Sequence, residues 1–67
     1  MESAEIGRRI RRVRESHGFS QRGLARAAGV MVATLNRLER GRTSSPHRGT
    51  LVLLALELGV TVEDLVE

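Results

Sequence analysis

Ile6, Ile10 and Val13 recur through the first helix-length stretch of the chain, with His17 in phase. Spacings of i, i+4, i+7 and i+11 put the four on one face of a helix. Arg8, Arg11, Arg12 and Glu15 cover the opposite face, and Arg9 and Arg14 flank the apolar stripe. The pattern predicts a first helix from about Ser3 or Ala4 to Ser16, stopped by Gly18 as a left-handed cap. A second helix opens at Ser20, whose hydroxyl suits an N-cap. It buries Leu24, Ala25 and Ala28 and stops at Gly29. A third runs from about Val32 to Arg40, with Leu35 and Leu38 inward, Met31 and Thr34 beside them, and Gly41 as the stop. The polar loop RTSS follows. Ser45-Pro46 predicts an N-cap and first helical position for a fourth helix ending at Leu58, with Gly59 beyond it. Gly49 and Arg48 weaken its first turn. Thr61, with Asp64 three residues on, opens a fifth helix that runs to the end of the chain. Phe19 and Ser44 fall in the connections. No alternating strand pattern occurs, so the fold class is all-α, a compact set of five helices in a single domain, 1–67.

One detail of this pattern is informative. LARAAGVMVATLNRLERG (Leu24–Gly41) would read as one long helix but for Gly29. Glycine inside a helix costs about 1 kcal/mol relative to alanine. Here it separates two helices of about eight and nine residues by only Gly29, Val30 and Met31. So short a turn needs a residue that accepts positive φ and makes the helices cross steeply. Val30 is apolar where the turn meets the core, and Ala25 is small where the helices approach. That is the logic of a helix-turn-helix, over about residues 20–40.

Charge sharpens the picture. The net charge is +3, but all eleven basic residues are arginines within residues 1–50, where four acids leave a net of +7. Residues 51–67 hold four acids and no base, a net of −4. The first part suits an anionic partner and the last does not. Arginine's planar fork matches phosphate and guanine. Arg8, Arg9, Arg11 and Arg12 read as a solvated face that adds long-range attraction. Several classes drop out. There is no cysteine, hence no disulfide or thiolate metal site. His17 and His47 are too few for a histidine zinc site, and His17 reads as packed or hydrogen-bonded rather than catalytic. GFSQRGLARAAG lacks the lysine and the preceding strand of a phosphate loop. No Ser–His–Asp arrangement is discernible. No apolar run reaches the roughly 18 residues of a membrane span, and the N-terminus is unlike a signal peptide. The expectation is a cytoplasmic, non-enzymatic protein with no cofactor, no metal and no membrane partner.

The outer side of the third helix carries Val32, Ala33, Asn36, Arg37 and Arg40. Asparagine pairs with adenine through two hydrogen bonds and arginine with guanine, while Val and Ala can touch a thymine methyl. Ser20-Gln21, Leu24-Ala25, Gly29-Val30, Leu35, Leu38-Glu39 and Gly41, with TLVLLALELGV (Thr50–Val60) and VEDLVE after them, together resemble the Cro and phage-repressor-like helix-turn-helix regulators, the XRE family. The resemblance covers almost the whole chain and implies a five-helix, lambda-repressor-like DNA-binding domain. It implies base reading by Val32, Ala33, Asn36 and Arg37. Backbone contacts are expected from Ser20, Gln21, Arg22, Thr34, Arg40, Arg42 and Thr43. Arg14 and Glu39 match a structural salt bridge between helices one and three. Three positions depart from the family: Met31 replaces a common Ser or Thr cap, Gly23 replaces a residue that is often charged, and Arg48 stands where an apolar residue is usual.

The fourth helix is apolar nearly all round, although so small a domain cannot bury every side of it. Packing of Val52 or Leu56 against helix one or five would explain part of this. A homodimer through helices four and five (about 46–67), with Leu53, Leu56, Val62 and Val66 at the interface, explains more. The function expected is sequence-specific binding of double-stranded DNA by a transcriptional regulator, a repressor on a palindromic operator. The alternative is an antitoxin-type module that binds a protein partner. The chain could also be the DNA-binding part of a longer protein.

Overall fold

The helix boundaries follow from caps at both ends. The computed structural model describes residues 3–43 and 45–67; Ser44, expected in the loop, lies outside them. Among these residues there are five helices and no strand: α1 (Ser3–Ser16), α2 (Gln21–Ala28), α3 (Val32–Glu39), α4 (Arg48–Leu58) and α5 (Val62–Val66). Ser20 caps α2 by accepting from the Gly23 N–H. Thr61 and Asp64 close a reciprocal capping box on α5, and those hydrogen bonds hold the Asp64 carboxyl below its ordinary range. Met31 precedes α3 with no side-chain cap.

The C-terminal ends of α1 to α4 share one device. After α2, the Gly29 N–H donates to Arg26 O and the Val30 N–H to Ala25 O at 2.9 Å. Gly29 itself sits at φ 75°, ψ 29°, a left-handed conformation that a Cβ disfavours. The same closure ends α1 at Phe19 (to Arg14 O) and α4 at Val60 (to Ala55 O). Phe19, Val30 and Val60 all pack on the core, the apolar contact that usually accompanies this cap. After α3 the corresponding residue is Arg42, which donates to Arg37 O and is exposed.

Ile10, Leu24, Leu35, Leu54 and Leu65, one residue from each helix, are fully buried together. Helix α1 packs on α3 and α5, α2 on α3 and α4, and α4 on α5. The whole measures 25 × 22 × 20 Å. Gly7 marks the tightest crossing. A Cβ there would collide with the Leu38 carbonyl oxygen and lie 2.8 Å from that of Glu39.

Three expectations need correction. Helix α4 begins at Arg48, not at Ser45-Pro46. His47 is still extended (φ −67°, ψ 127°), and the first helical bond is Leu51 N–H to His47 O. A start at Pro46 would place Gly49 a full turn into the helix, where glycine costs about 1 kcal/mol relative to alanine; the observed start leaves it in the first turn. Met31 is not beside Leu35 and Leu38. It is 72% exposed, because its extended backbone at the head of α3 carries it off the inward face. His17 is not on the apolar face either. It is exposed beyond the end of α1, its Nδ1 2.9 Å from Val13 O and 3.2 Å from Ser16 Oγ.

Two glycine substitutions test the packing in opposite directions. Gly7→Ala gains about 1 kcal/mol of helix propensity, but its methyl meets backbone that cannot rotate away. We expect a net loss of about 1–3 kcal/mol and a fall in Tm on the order of 10 °C. Gly49 faces only His47 Nδ1, at 3.9 Å, so Gly49→Ala should raise Tm slightly. Thermal unfolding by circular dichroism reads both. A neutral Gly7→Ala would contradict the close α1–α3 approach.

Candidate nucleic-acid interface

Helices α2 and α3 are eight residues each and meet at the Gly29–Val30–Met31 turn. Leu24, Ala25 and Ala28 face inward from α2, and Leu35, Leu38 and Glu39 from α3. Burying these residues turns the other side of α3 outward. Val32, Ala33, Arg37 and Arg40 are exposed, and Asn36 is half-buried. These residues recur at i, i+1, i+4, i+5 and i+8, a single helical face. The eight residues of α3 make it about 12 Å long, a length suited to the major groove.

The residues expected along a backbone flank this face unequally. Arg22, at the first turn of α2, and Arg42, just past α3, are exposed. Neither they nor Arg37 and Arg40 pair with a carboxylate among the described residues. Thr34 and Thr43 are half-buried and, with Arg37, Leu38, Ser45, His47 and Thr50, line a cleft of about 200 Å³ between α3 and α4. Ser20 spends its hydroxyl oxygen on the α2 cap.

Gln21 has two further partners. It belongs to a buried network centred on Arg14 and Glu39. Arg14 Nε donates to Glu39 Oε2 at 2.6 Å and Nη2 to Oε1 at 3.0 Å. Arg14 Nη1 donates to Phe19 O at 2.7 Å, tying in the α1–α2 connection. The two side chains are 9% and 2% exposed. Hydrogen bonding to Glu39 holds the Arg14 guanidinium above its ordinary range, against the opposing effect of burial. Gln21 Nε2 donates to Glu39 Oε1 at 2.9 Å, and Asn36 Nδ2 donates to Gln21 Oε1 at 3.2 Å. These last two bonds escaped the sequence reading. A signal existed: Asn36 and Glu39 are three residues apart on α3, so they share a side of the helix, and Gln21 begins the helix packed against it.

The residues expected at a dimer contact divide. Leu53 and Leu56 are exposed, Leu56 by 77%, as is Val52. Packing against α1 or α5 does not bury Val52 or Leu56, since both remain exposed. Val62 and Val66 are half-buried and lean on the core, leaving less of themselves for a partner.

Two short helices crossing at a three-residue turn, the second with an outward polar and basic face, define a helix-turn-helix fold. The chain belongs to the helix-turn-helix family HTH_3, whose model matches residues 10–65. The XRE-type resemblance is thereby borne out, and proteins of this family are DNA-binding rather than enzymatic. The HTH-type transcriptional regulator DdrOP3 of Deinococcus deserti is 44% identical over 59 residues, covering 88% of this chain. The chain spans 45% of that regulator's length. The biofilm master regulator SinR, in a crystal structure with DNA, superposes with a TM-score of 0.89 at 34% identity, covering 92% of this chain and 98% of that one. The restriction-modification controller protein C.AhdI from Aeromonas hydrophila gives 0.87 at 27% identity, with 94% of each chain covered. The fold is all-α and lambda-repressor-like. Among the described residues no helix is long and apolar enough to cross a membrane.

The Arg14–Glu39 pair can be tested directly. Removing one partner of a buried pair costs about 3–5 kcal/mol, as much as a core of this size supplies. Arg14→Met should therefore leave the chain largely unfolded at room temperature. The double variant Arg14→Met/Glu39→Leu, which strands no charge, should recover cooperative melting. A loss of only about 1 kcal/mol for Arg14→Met, as for an exposed pair, would refute a central role.

Proposed function

We propose that this chain is the sequence-reading unit of a cytoplasmic transcriptional repressor, binding double-stranded DNA as a homodimer on a palindromic operator. The observation that carries the reading is the outward side of α3, where Val32, Ala33, Arg37 and Arg40 are exposed and Asn36 is half-buried, beside Arg22 and Arg42, which pair with no carboxylate among the described residues. In this reading α3 enters the major groove. Asn36 and Arg37 pair with base edges, and Val32 and Ala33 meet thymine methyls. Ser20, Gln21, Arg22, Thr34, Arg40, Arg42 and Thr43 track phosphates, with α2 lying across the backbone. A two-fold dimer would place the two recognition helices about 34–36 Å apart, or a multiple of that. Similarity to DdrOP3 and to DNA-bound SinR supports the DNA partner.

The exposed Val52, Leu53 and Leu56 on α4 favour a protein contact as well. A second copy is the assignment here, and an antitoxin-type partner is the alternative.

Selection from a randomised duplex library at about 0.1 M salt should enrich a palindrome. Retention of DNA without any enriched sequence would leave only arginine electrostatics and overturn the reading. On the selected site, Arg37→Ala should relax preference at one position of each half-site, at about 1–3 kcal/mol. Arg42→Ala should weaken every sequence alike and lower the salt slope by about one. Equal losses on matched and mismatched sites for Arg37→Ala would remove it from base reading.

Sedimentation equilibrium tests the dimer. Leu56 is too exposed to matter for the core, so Leu56→Glu should keep the melting transition while shifting the particle to the 7.4 kDa monomer. A parent chain already monomeric at the concentration where it binds its site would exclude this interface.

A further inference from the structure

Beyond reading DNA, the interface contains a device that sets how one of its readers faces. Side-chain amides are usually ambiguous, because their oxygen and nitrogen ends have nearly the same shape. Here the ambiguity is removed one link at a time. Arg14 only donates, and it holds both oxygens of Glu39. A carboxylate only accepts, so the end of Gln21 that lies 2.9 Å from Glu39 Oε1 is its nitrogen. Gln21 Oε1 then turns toward α3. That oxygen also only accepts, so Asn36 gives it Nδ2, at 3.2 Å. Asn36 Oδ1 is left without a protein partner. Since no partnerless buried side-chain oxygen or nitrogen occurs among the described residues, Oδ1 is open to solvent.

We propose that Arg14, Glu39 and Gln21 form a directional hydrogen-bond relay that fixes the Asn36 carboxamide with its oxygen outward, making Asn36 a reader of adenine. The proposal rests on the DNA-reading role of α3 given above. After the relay has taken one N–H, Asn36 keeps one acceptor and one N–H. Adenine offers the complement in the major groove, an N6 donor beside the N7 acceptor. Cytosine offers an amino donor without that neighbouring acceptor, and guanine offers two acceptors. Gln21 is then a positioning residue, distinct from the phosphate contact assigned to its position.

Gln21→Met separates these roles. It keeps the side-chain length and leaves the Arg14–Glu39 pair intact; Gln21→Ala serves as the second variant should Met fold poorly. The first readout needs no DNA. In the free protein, the heteronuclear relaxation of the Asn36 side-chain NH₂ should report a rigid group. In Gln21→Met it should become mobile while the α3 backbone amides stay unchanged. Equal rigidity in both proteins would overturn the relay.

The second readout is base preference. The parent should prefer adenine at one position per half-site, and Asn36→Ala should erase that preference. Gln21→Met should reduce it by about tenfold, keep the preference read by Arg37, and have no further effect at that position in the Asn36→Ala background. A uniform loss across all sequences would make Gln21 a phosphate contact only and reject the positioning role. If the parent enriches no sequence, DNA reading and the adenine assignment fall together, and the relaxation measurement still decides whether the relay exists.

Discussion

The buried pair between Arg14 and Glu39 is the constraint around which the other elements are arranged. Arg14 lies near the end of α1 and Glu39 at the end of α3, so their bidentate bond fixes how those helices cross. The same guanidinium holds Phe19 O, and the same carboxylate holds Gln21, which brings in both the connection to α2 and its first residue. Three helices thus take their relative pose from one charged cluster. Apolar side chains alone would not specify this pose as sharply, because a core of Leu and Ala accepts small rotations at little cost. Burying charge makes alternatives expensive, since any arrangement that separates the partners strands an ion away from water. Gly7 is the steric counterpart: without a side chain, α1 can approach the α3 carbonyls closely enough for Arg14 to reach.

Much of this was legible in the sequence, and the parts that were not share a cause. The five helices, the buried faces of α2 and α3, and the stops at Gly18, Gly29, Gly41 and Gly59 come from periodicity and cap chemistry, which act over a few residues. The Arg14–Glu39 pair came from family resemblance; spacing alone could not join residues 25 apart. The start of α4 was misplaced because Ser-Pro is a sound local signal that the extended His47 overrode. Met31 was drawn inward by its hydrophobicity, although its place at the head of α3 put it outside. The Gln21 and Asn36 contacts were missed because each residue was assigned one role, an outward one. Both are half-buried, and a half-buried amide can serve the interior and the surface together.

The distribution of charge fits the placement of the helices. The arginines occupy the chain through the start of α4, and the acids of the last seventeen residues lie on α4 and α5 and at the chain's end. The exposed Val52, Leu53 and Leu56 are on α4, within that acidic segment. A surface that met DNA would gain from cations and lose from acids, whereas a contact with a second copy needs apolar area more than charge. In the proposed reading the two requirements fall on different parts of the chain, so each could be met without weakening the other.

Magnitudes favour a second copy in the reading proposed for α3. Its outer face carries two side chains able to form paired bonds to a base, Asn36 and Arg37. At about 1–3 kcal/mol of discrimination each, one half-site supplies roughly 2–6 kcal/mol. Specific sites are typically favoured over bulk DNA by about 4–10 kcal/mol, which the lower half of that range does not reach. Doubling the readers by two-fold symmetry brings the sum into range without lengthening the helix. It also makes the precision of each reader count twice. A carboxamide free to flip would offer adenine the wrong face part of the time in both half-sites, and the loss would be squared. In the proposed dimer, tethering Asn36 through Gln21 to the buried Arg14–Glu39 pair would put order where symmetry amplifies it.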